Sequence, residues 1–138
     1  MNPRRTTVGG TDREIRATLA ELLSALDPDA EYELRHEDFV ADMPQSGERV
    51  RGREAMRDLQ RNFPADTKPT FTVRRITGSG ELWTVEAEGD YGGRIFHVVV
   101  LLELGGGKIL RETRYYAEPF DAPQWRAHLI ERTGQAAT

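Results

Sequence analysis

The sequence predicts an α+β fold in which a strongly curved, mostly antiparallel sheet of about six strands wraps around three to four helices. Three observations point there. An apolar stripe at helical spacing fills the first quarter of the chain, behind a capping sequence. From Asp38 the apolar period shortens to that of a strand. Between Thr70 and Ala117, long strand-like segments alternate with short glycine-rich turns, the pattern of an antiparallel meander.

The elements follow in order. Thr11 and Glu14 form a capping box, in which the threonine accepts from the first turn and the glutamate reaches back. Behind it Ile15, Leu19, Leu22, Leu23 and Leu26 share one face, so a helix is expected over 12–26. Asp27, Pro28 and Asp29 end that helix and start a short second one through Glu33. A strand is expected over 39–43, stopped by Pro44 and turned by Gln45, Ser46 and Gly47 onto a short partner at 48–51. Gly52 breaks into a helix over 53–63, with Met56, Leu59 and Phe63 on one side. The meander strands are expected at 70–77, 82–89, 94–104 and 108–117. A last helix over 122–132 would be capped by Asp121 with Gln124, and stapled by Phe120 against Trp125.

At 138 residues the chain fits one domain spanning 11–133, with residues 1–10 as a loose tail and 134–138 frayed. It has no cysteine, which excludes disulfides, thiol nucleophiles and thiolate metal sites. Nineteen basic residues stand against 23 acidic ones, a net charge of −4, so no general attraction to nucleic acid is expected. The N-terminus carries charge but no apolar core of a secretory signal, and the longest uninterrupted apolar run, 98–102, is far too short for a membrane span. A cytoplasmic location is expected. His36, His97 and His128 are not spaced as a metal site, and Gly105, Gly106 and Gly107 lie between strands rather than opening a phosphate-binding helix.

Asp38 to Val40, Pro44-Gln45-Ser46-Gly47-Glu48, Gly52-Arg53-Glu54, Lys108-Ile109 and Tyr115-Tyr116, in this order and spacing, resemble the SnoaL-like branch of the NTF2-like superfamily. The resemblance covers roughly 12–132 and rests on order and spacing more than on any single motif. It implies a cone with an apolar pocket in its mouth and, in many members, a dimer through the outer face of the sheet. It does not fix an activity, because the cone hosts cyclases, isomerases, epoxide hydrolases, dehydratases and non-catalytic binding domains. Its enzymes generally use no cofactor and rely on carboxylates, with His, Tyr or Arg, projecting into the pocket. The family's epoxide hydrolases and cyclases place an aspartate about two-thirds along the last strand. Here that position falls on Arg114, a departure that speaks against those two chemistries, since arginine is no base at neutral pH.

The candidates for chemistry are therefore argued residue by residue. His97 interrupts an otherwise apolar strand and could exchange protons near neutrality if a carboxylate set its tautomer; a structural imidazole is the competing reading. Its ring is expected to line the cavity with Asp42 or Glu112 within direct or one-water reach, although a turn near Gly106 would pair it around Tyr115 and Tyr116 and put Tyr116 or Thr113 in competition with the carboxylates. By the resemblance Asp42 stands where superfamily isomerases keep a general base; a solvated strand residue is the competing reading. On the last strand Glu112, Arg114, Tyr116 and Glu118 share one face, and Arg111, Thr113, Tyr115 and Ala117 the other; which of them faces the pocket stays open. Arg114 could polarise a carbonyl or hold a carboxylate with Glu112 as its ion partner. Trp83, Tyr91, Tyr32 and Tyr115 are candidates to line a cavity, with core packing the alternative for Trp83 and Tyr91.

Two functional readings follow. One is a pocket protein acting by cofactor-independent acid–base chemistry, of isomerase, cyclase, dehydratase or hydrolase type, on an apolar small molecule, with no metal. The other is a non-catalytic ligand-binding or dimerisation module. The strand at 94–104 is apolar on both faces, so a homodimer through the sheet is expected to cover the outer one.

Overall fold

The structure, a computed structural model, describes residues 6–64 and 68–133. The N-terminal residues 1–5 and the expected fraying segment 134–138 lie outside the described residues. Helix α1 (Asp12–Ala25) carries the expected capping box: the Glu14 amide donates to Thr11 Oγ1, and the Thr11 amide to Glu14 Oε1, each at 3.1 Å. Its stripe of Ile15, Leu19, Leu22 and Leu23 is buried. Helix α2 (Pro28–Leu34) starts on an Asp27 cap. Then come β1 (Arg35–Met43), β2 (Glu48–Arg51), α3 (Arg53–Arg61), β3 (Thr70–Ser79), β4 (Leu82–Tyr91), β5 (Arg94–Gly105) and β6 (Lys108–Ala117).

The six strands make one sheet in the order β2-β1-β6-β5-β4-β3. Strands β3 to β6 form the antiparallel meander, and β1 joins it by pairing parallel to β6. Ladder irregularities between Arg35 and Val40, Val73 and Arg75, and Glu103 and Leu104 add the local bends that curve such a sheet. The inner face contributes Phe39, Ala41, Trp83, Val85, Ala87, Val98, Val100 and Leu102 to a core shared with the α1 stripe and Met56.

Several expectations are corrected. The segment read as a last α-helix is a single 3-10 helix over Gln124–Leu129 with no side-chain cap. Phe120 and Trp125 are both exposed, Trp125 at 72 %, so the staple does not form. A local capping pattern cannot hold a short helix that has no buried face. In α3, Leu59 is exposed rather than facing inward with Met56. Strand β1 begins at Arg35, so His36 and Asp38 lie within it, where the Asp38 amide donates to His36 Nδ1 at 2.9 Å. Val8, placed in the loose tail by its surroundings, is buried, and its amide donates to the Gly107 carbonyl at 2.7 Å. Lys108 Nζ holds the same corner by donating to the carbonyls of Thr6 and Glu33.

The β5–β6 register also differs. Gly106 and Gly107, both at positive φ (59° and 75°), make the turn, and the bulge after Glu103 inserts one more residue into β6. His97 therefore stands opposite Ala117 instead of Tyr115 or Tyr116.

Candidate functional site

That register decides which side chains meet. On the inner face of β6, Glu112 lies opposite Leu102, Arg114 opposite Val100 and Tyr116 opposite Val98. Glu112 and Arg114 are buried and Tyr116 is half-buried, so the row runs from the interior outward. Strand β1 sets Arg35, with 0 % exposure, against its inner end, and α2 brings Glu31 four residues earlier.

These groups form one chain of alternating charge. Arg35 donates through Nη2 to Glu31 Oε1 (3.0 Å) and through Nε to Glu112 Oε2 (3.4 Å). Glu112 Oε1 accepts from Arg114 Nε at 2.7 Å, and Arg114 Nη1 donates to the Tyr116 hydroxyl at 3.2 Å. Gln60 of α3 closes the inner end, accepting from Arg35 Nη1 and donating to Glu31 Oε1, each at 3.1 Å. Glu31 Oε2 is buried and has no hydrogen-bond partner among the described residues.

The two carboxylates are pushed apart. Burial is the largest influence on each. For Glu31 it outweighs Arg35 and Arg114 and raises the carboxyl above the usual range, whereas Glu112, between two guanidinium groups, is held below it. The Arg114 guanidinium is itself held more firmly protonated, since attraction to Glu112 overcomes its burial. Two buried carboxyl groups with opposed shifts thus sit in one hydrogen-bonded chain.

Beyond Tyr116 lies a cluster of rings. Tyr91 packs against Phe63, Phe71 and Phe96 at centroid distances of 5.9, 6.1 and 5.2 Å. Burial pushes its phenol up to about 12, with Tyr116 contributing and Arg114 opposing. A tether fixes Tyr116 from outside the strand: its amide donates to Gln45 Oε1 at 2.5 Å, and Gln45 Nε2 donates to its carbonyl at 2.9 Å. Gln45 thus continues the β1–β6 ladder past the point where β1 ends.

Of the candidates from sequence, Glu112, Arg114 and Tyr116 come together and Tyr91 borders them. His97 and Asp42 do not join them. His97 is exposed on the outer face, level with Glu88 and Ala117, separated from Glu112 by the thickness of the sheet. Asp42 is also on the outer face, bound to Arg49 (2.6 and 3.1 Å) and 3.5 Å from Arg111. The Arg49 hydrogen bonds are the chief reason its carboxyl is held below the usual range. Tyr115 is exposed on that same outer face. Trp83 belongs to the core, its Nε1 donating to the Gly80 carbonyl at 2.8 Å. Tyr32 carries the guanidinium groups of Arg53 and Arg57 on its ring, at 4.3 and 3.9 Å from the centroid.

Glu31, Arg35 and Gln60 were not singled out from the sequence. The available signal was the spacing of four between Glu31 and Arg35, which places them on one side of a helix end. Among the described residues no group of three or more His, Asp or Glu side chains is arranged to hold a metal ion, and no helix is long and apolar enough to cross a membrane.

The fold and the inward polar row define a small α+β cone protein of the NTF2-like type. The SnoaL-like domain family matches residues 15–112, and the chain belongs to it. An NTF-2-like protein of unknown function from Burkholderia xenovorans is similar over 91 % of this chain and all of its own, with 37 % identity and a TM-score of 0.79. A putative ketosteroid isomerase from Kribbella flavida shares 27 % identity over 89 % of this chain and 93 % of its own, with a TM-score of 0.78. An LEH-like epoxide hydrolase from M. tuberculosis, 23 % identical over 77 % of this chain and 84 % of its own, at a TM-score of 0.62, shares the fold. No curated protein matches the chain.

Proposed function

We propose that the protein is a small-molecule pocket protein of the SnoaL-like family that performs cofactor-independent acid–base chemistry on an apolar carbonyl compound. One observation carries this reading: the buried Glu112–Arg114–Tyr116 row ends in two donors that the protein itself does not use. Arg114 spends Nε on Glu112 and Nη1 on Tyr116, and among the described residues nothing accepts from its Nη2. The Tyr116 oxygen accepts from Arg114, so its own hydrogen is left to donate elsewhere. An Arg114 Nη2 and a Tyr116 O–H side by side suit a carbonyl oxygen, which they would polarise as charge develops on it. Tyr116 then donates a hydrogen bond to that oxygen while keeping its proton, and the rings of Phe63, Phe71, Tyr91 and Phe96 supply an apolar border. Glu112, with one oxygen held by each arginine, serves to position Arg114. The similarity to a putative ketosteroid isomerase is consistent with this chemistry and does not name the substrate.

The homodimer is part of the same proposal. On the outer sheet face Leu82 (65 % exposed), Leu101 and Tyr115 stand out, and a shallow groove of about 380 Å³ is lined by Leu82, Thr84, Leu101, Glu103 and Thr113 among others. A second copy covering this face would remove that apolar surface from water. The same face favours the second reading, a dimerisation module without catalysis. Screening cyclic enones, saturated ketones and epoxides by thermal shift and turnover separates them. The enzyme reading expects ketone binding that Tyr116→Phe weakens and turnover that it abolishes. Binding indifferent to Arg114 and Tyr116, or none at all, favours the module.

A further inference from the structure

The inner end of the charge chain has a feature that the proposed chemistry does not use. Glu31 Oε1 accepts from both Arg35 and Gln60, while Oε2 of the same buried carboxylate has no hydrogen-bond partner among the described residues. Among the described residues, Arg35 faces it from β1, Glu112 and Arg114 from β6, and Gln60 from α3; on α2 itself Tyr32 carries Arg53 and Arg57, and the Arg57 Nε is also buried without a partner among these residues.

The charges in the hydrogen-bonded chain sum simply. With both glutamates ionised, Glu31, Arg35, Glu112 and Arg114 are neutral together. With Glu31 protonated on Oε2, one positive charge is uncompensated, and the member of the chain with an unused donor at its outer end is Arg114. An anion arriving there against an ionised Glu31 would leave a buried excess of negative charge, which a low-dielectric interior strongly disfavours. Against a protonated Glu31 it would be balanced.

We infer that the site binds apolar small molecules bearing a single anionic oxygen head, such as a carboxylate, at Arg114 and Tyr116, and that Glu31 takes up a proton when they bind. The inference rests on the proposed pocket and adds its ligand class and its proton linkage. Glu31 acts through Arg35 and Glu112 rather than by touching the ligand, so it is a positioning and charge-balancing group. The upward displacement of its carboxyl by burial agrees with a group that protonates readily in the folded protein. Linkage is reciprocal: bound anion must raise the proton affinity of Glu31 by the same factor that protonated Glu31 raises anion affinity.

The test is calorimetric titration of the full chain with cyclohexanecarboxylate and with its neutral isostere cyclohexanecarboxamide, in phosphate and in Tris. Carbon-13 carboxyl NMR of glutamate-labelled protein locates the pH range in which Glu31 titrates. Within it, the carboxylate is expected to bind roughly tenfold or more tightly than the amide. Its binding should take up a proton, at most about one, with amide binding taking up none. Glu31→Gln is expected to bind the carboxylate without proton uptake. Should that variant fail to fold, the wild-type Glu31 carboxyl resonance is expected to titrate at higher pH with carboxylate bound. If the amide binds as tightly as the carboxylate, the pocket stands and the anion inference falls. Proton uptake that persists in Glu31→Gln, or a Glu31 titration unmoved by carboxylate, overturns the linkage. If neither compound binds while a ketone of the screen does, the pocket stands and the anion inference falls; if the ketones fail to bind as well, the pocket is refuted and this inference with it.

Discussion

Glu112 and Arg114, two residues apart on one strand, are joined by a 2.7 Å hydrogen bond inside the sheet rather than on its surface. Alternation along β6 puts both on the inner face, and Arg35 engages the second oxygen of Glu112 from the neighbouring strand. Removing this carboxylate would strand the buried Arg114, whose only ion partner it is among the described residues, while Arg35 keeps Glu31 and Gln60.

Glu112→Gln is accordingly expected to destabilise the fold by about 3–5 kcal/mol, the usual cost of breaking a buried ion pair from one side. Urea denaturation measures it. Replacing Glu31, Arg35, Glu112 and Arg114 together by apolar residues of similar volume, so that no member of the chain is left unpaired, should recover much of the loss while eliminating ligand binding. A small effect of the single change would show that water reaches the row.

Stability should depend on pH through both glutamates, with opposite signs. Glu112 titrates lower in the folded chain, so its contribution is complete above the ordinary glutamate range and is lost as pH falls through its folded value. Glu31 titrates higher when folded, so its contribution is complete below that range and is lost as pH rises through its folded value. Urea midpoints measured across pH should therefore fall on both sides, and Glu31→Gln should remove the decline on the side above the ordinary glutamate range. A decline unchanged by that substitution would assign it to another group.

His97→Gln and Asp42→Asn are expected to leave ligand binding and any turnover unchanged, because both side chains lie on the outer face of the sheet. Kinetics and binding with the best ligand from the screen check this. A loss of turnover with retained folding in either variant would return chemistry to the outer face.

Legibility from sequence divides along a physical line. The alternation of Glu112, Arg114 and Tyr116 is local and was readable, as were the meander and the capping box at Thr11. The partner of His97 depended on one bulge after Glu103, which shifts the later β6 residues by one against β5, while its outward side follows from alternation with the buried Val98 and Val100. Glu31 and Arg35 offer no signal in the sequence beyond a spacing of four at a helix end; only the parallel pairing of β1 with β6 brings them against Glu112. The last helix failed for the converse reason. Its caps are local, but its Trp125 and Leu129 find no surface to pack on among the described residues.

The outer face provides a further expectation. Leu101→Glu, placed in the middle of that face and 39 % exposed, should convert a homodimer to a monomer with little change in folding. Sedimentation at tens of micromolar protein reads it out. A wild-type monomer at that concentration would contradict the dimer.

The central claim is that ligands are held at the outer end of the Glu112–Arg114–Tyr116 row. Nitrogen-15 NMR of the arginine side chains tests it most directly, during titration with a ketone selected by the screen. The Arg114 Nε resonance is expected to shift in a saturable manner, Tyr116→Phe to weaken this response, and the His97 ring signals to stay still. Saturable shifts at His97 or around Leu101, with Arg114 unmoved, would contradict it.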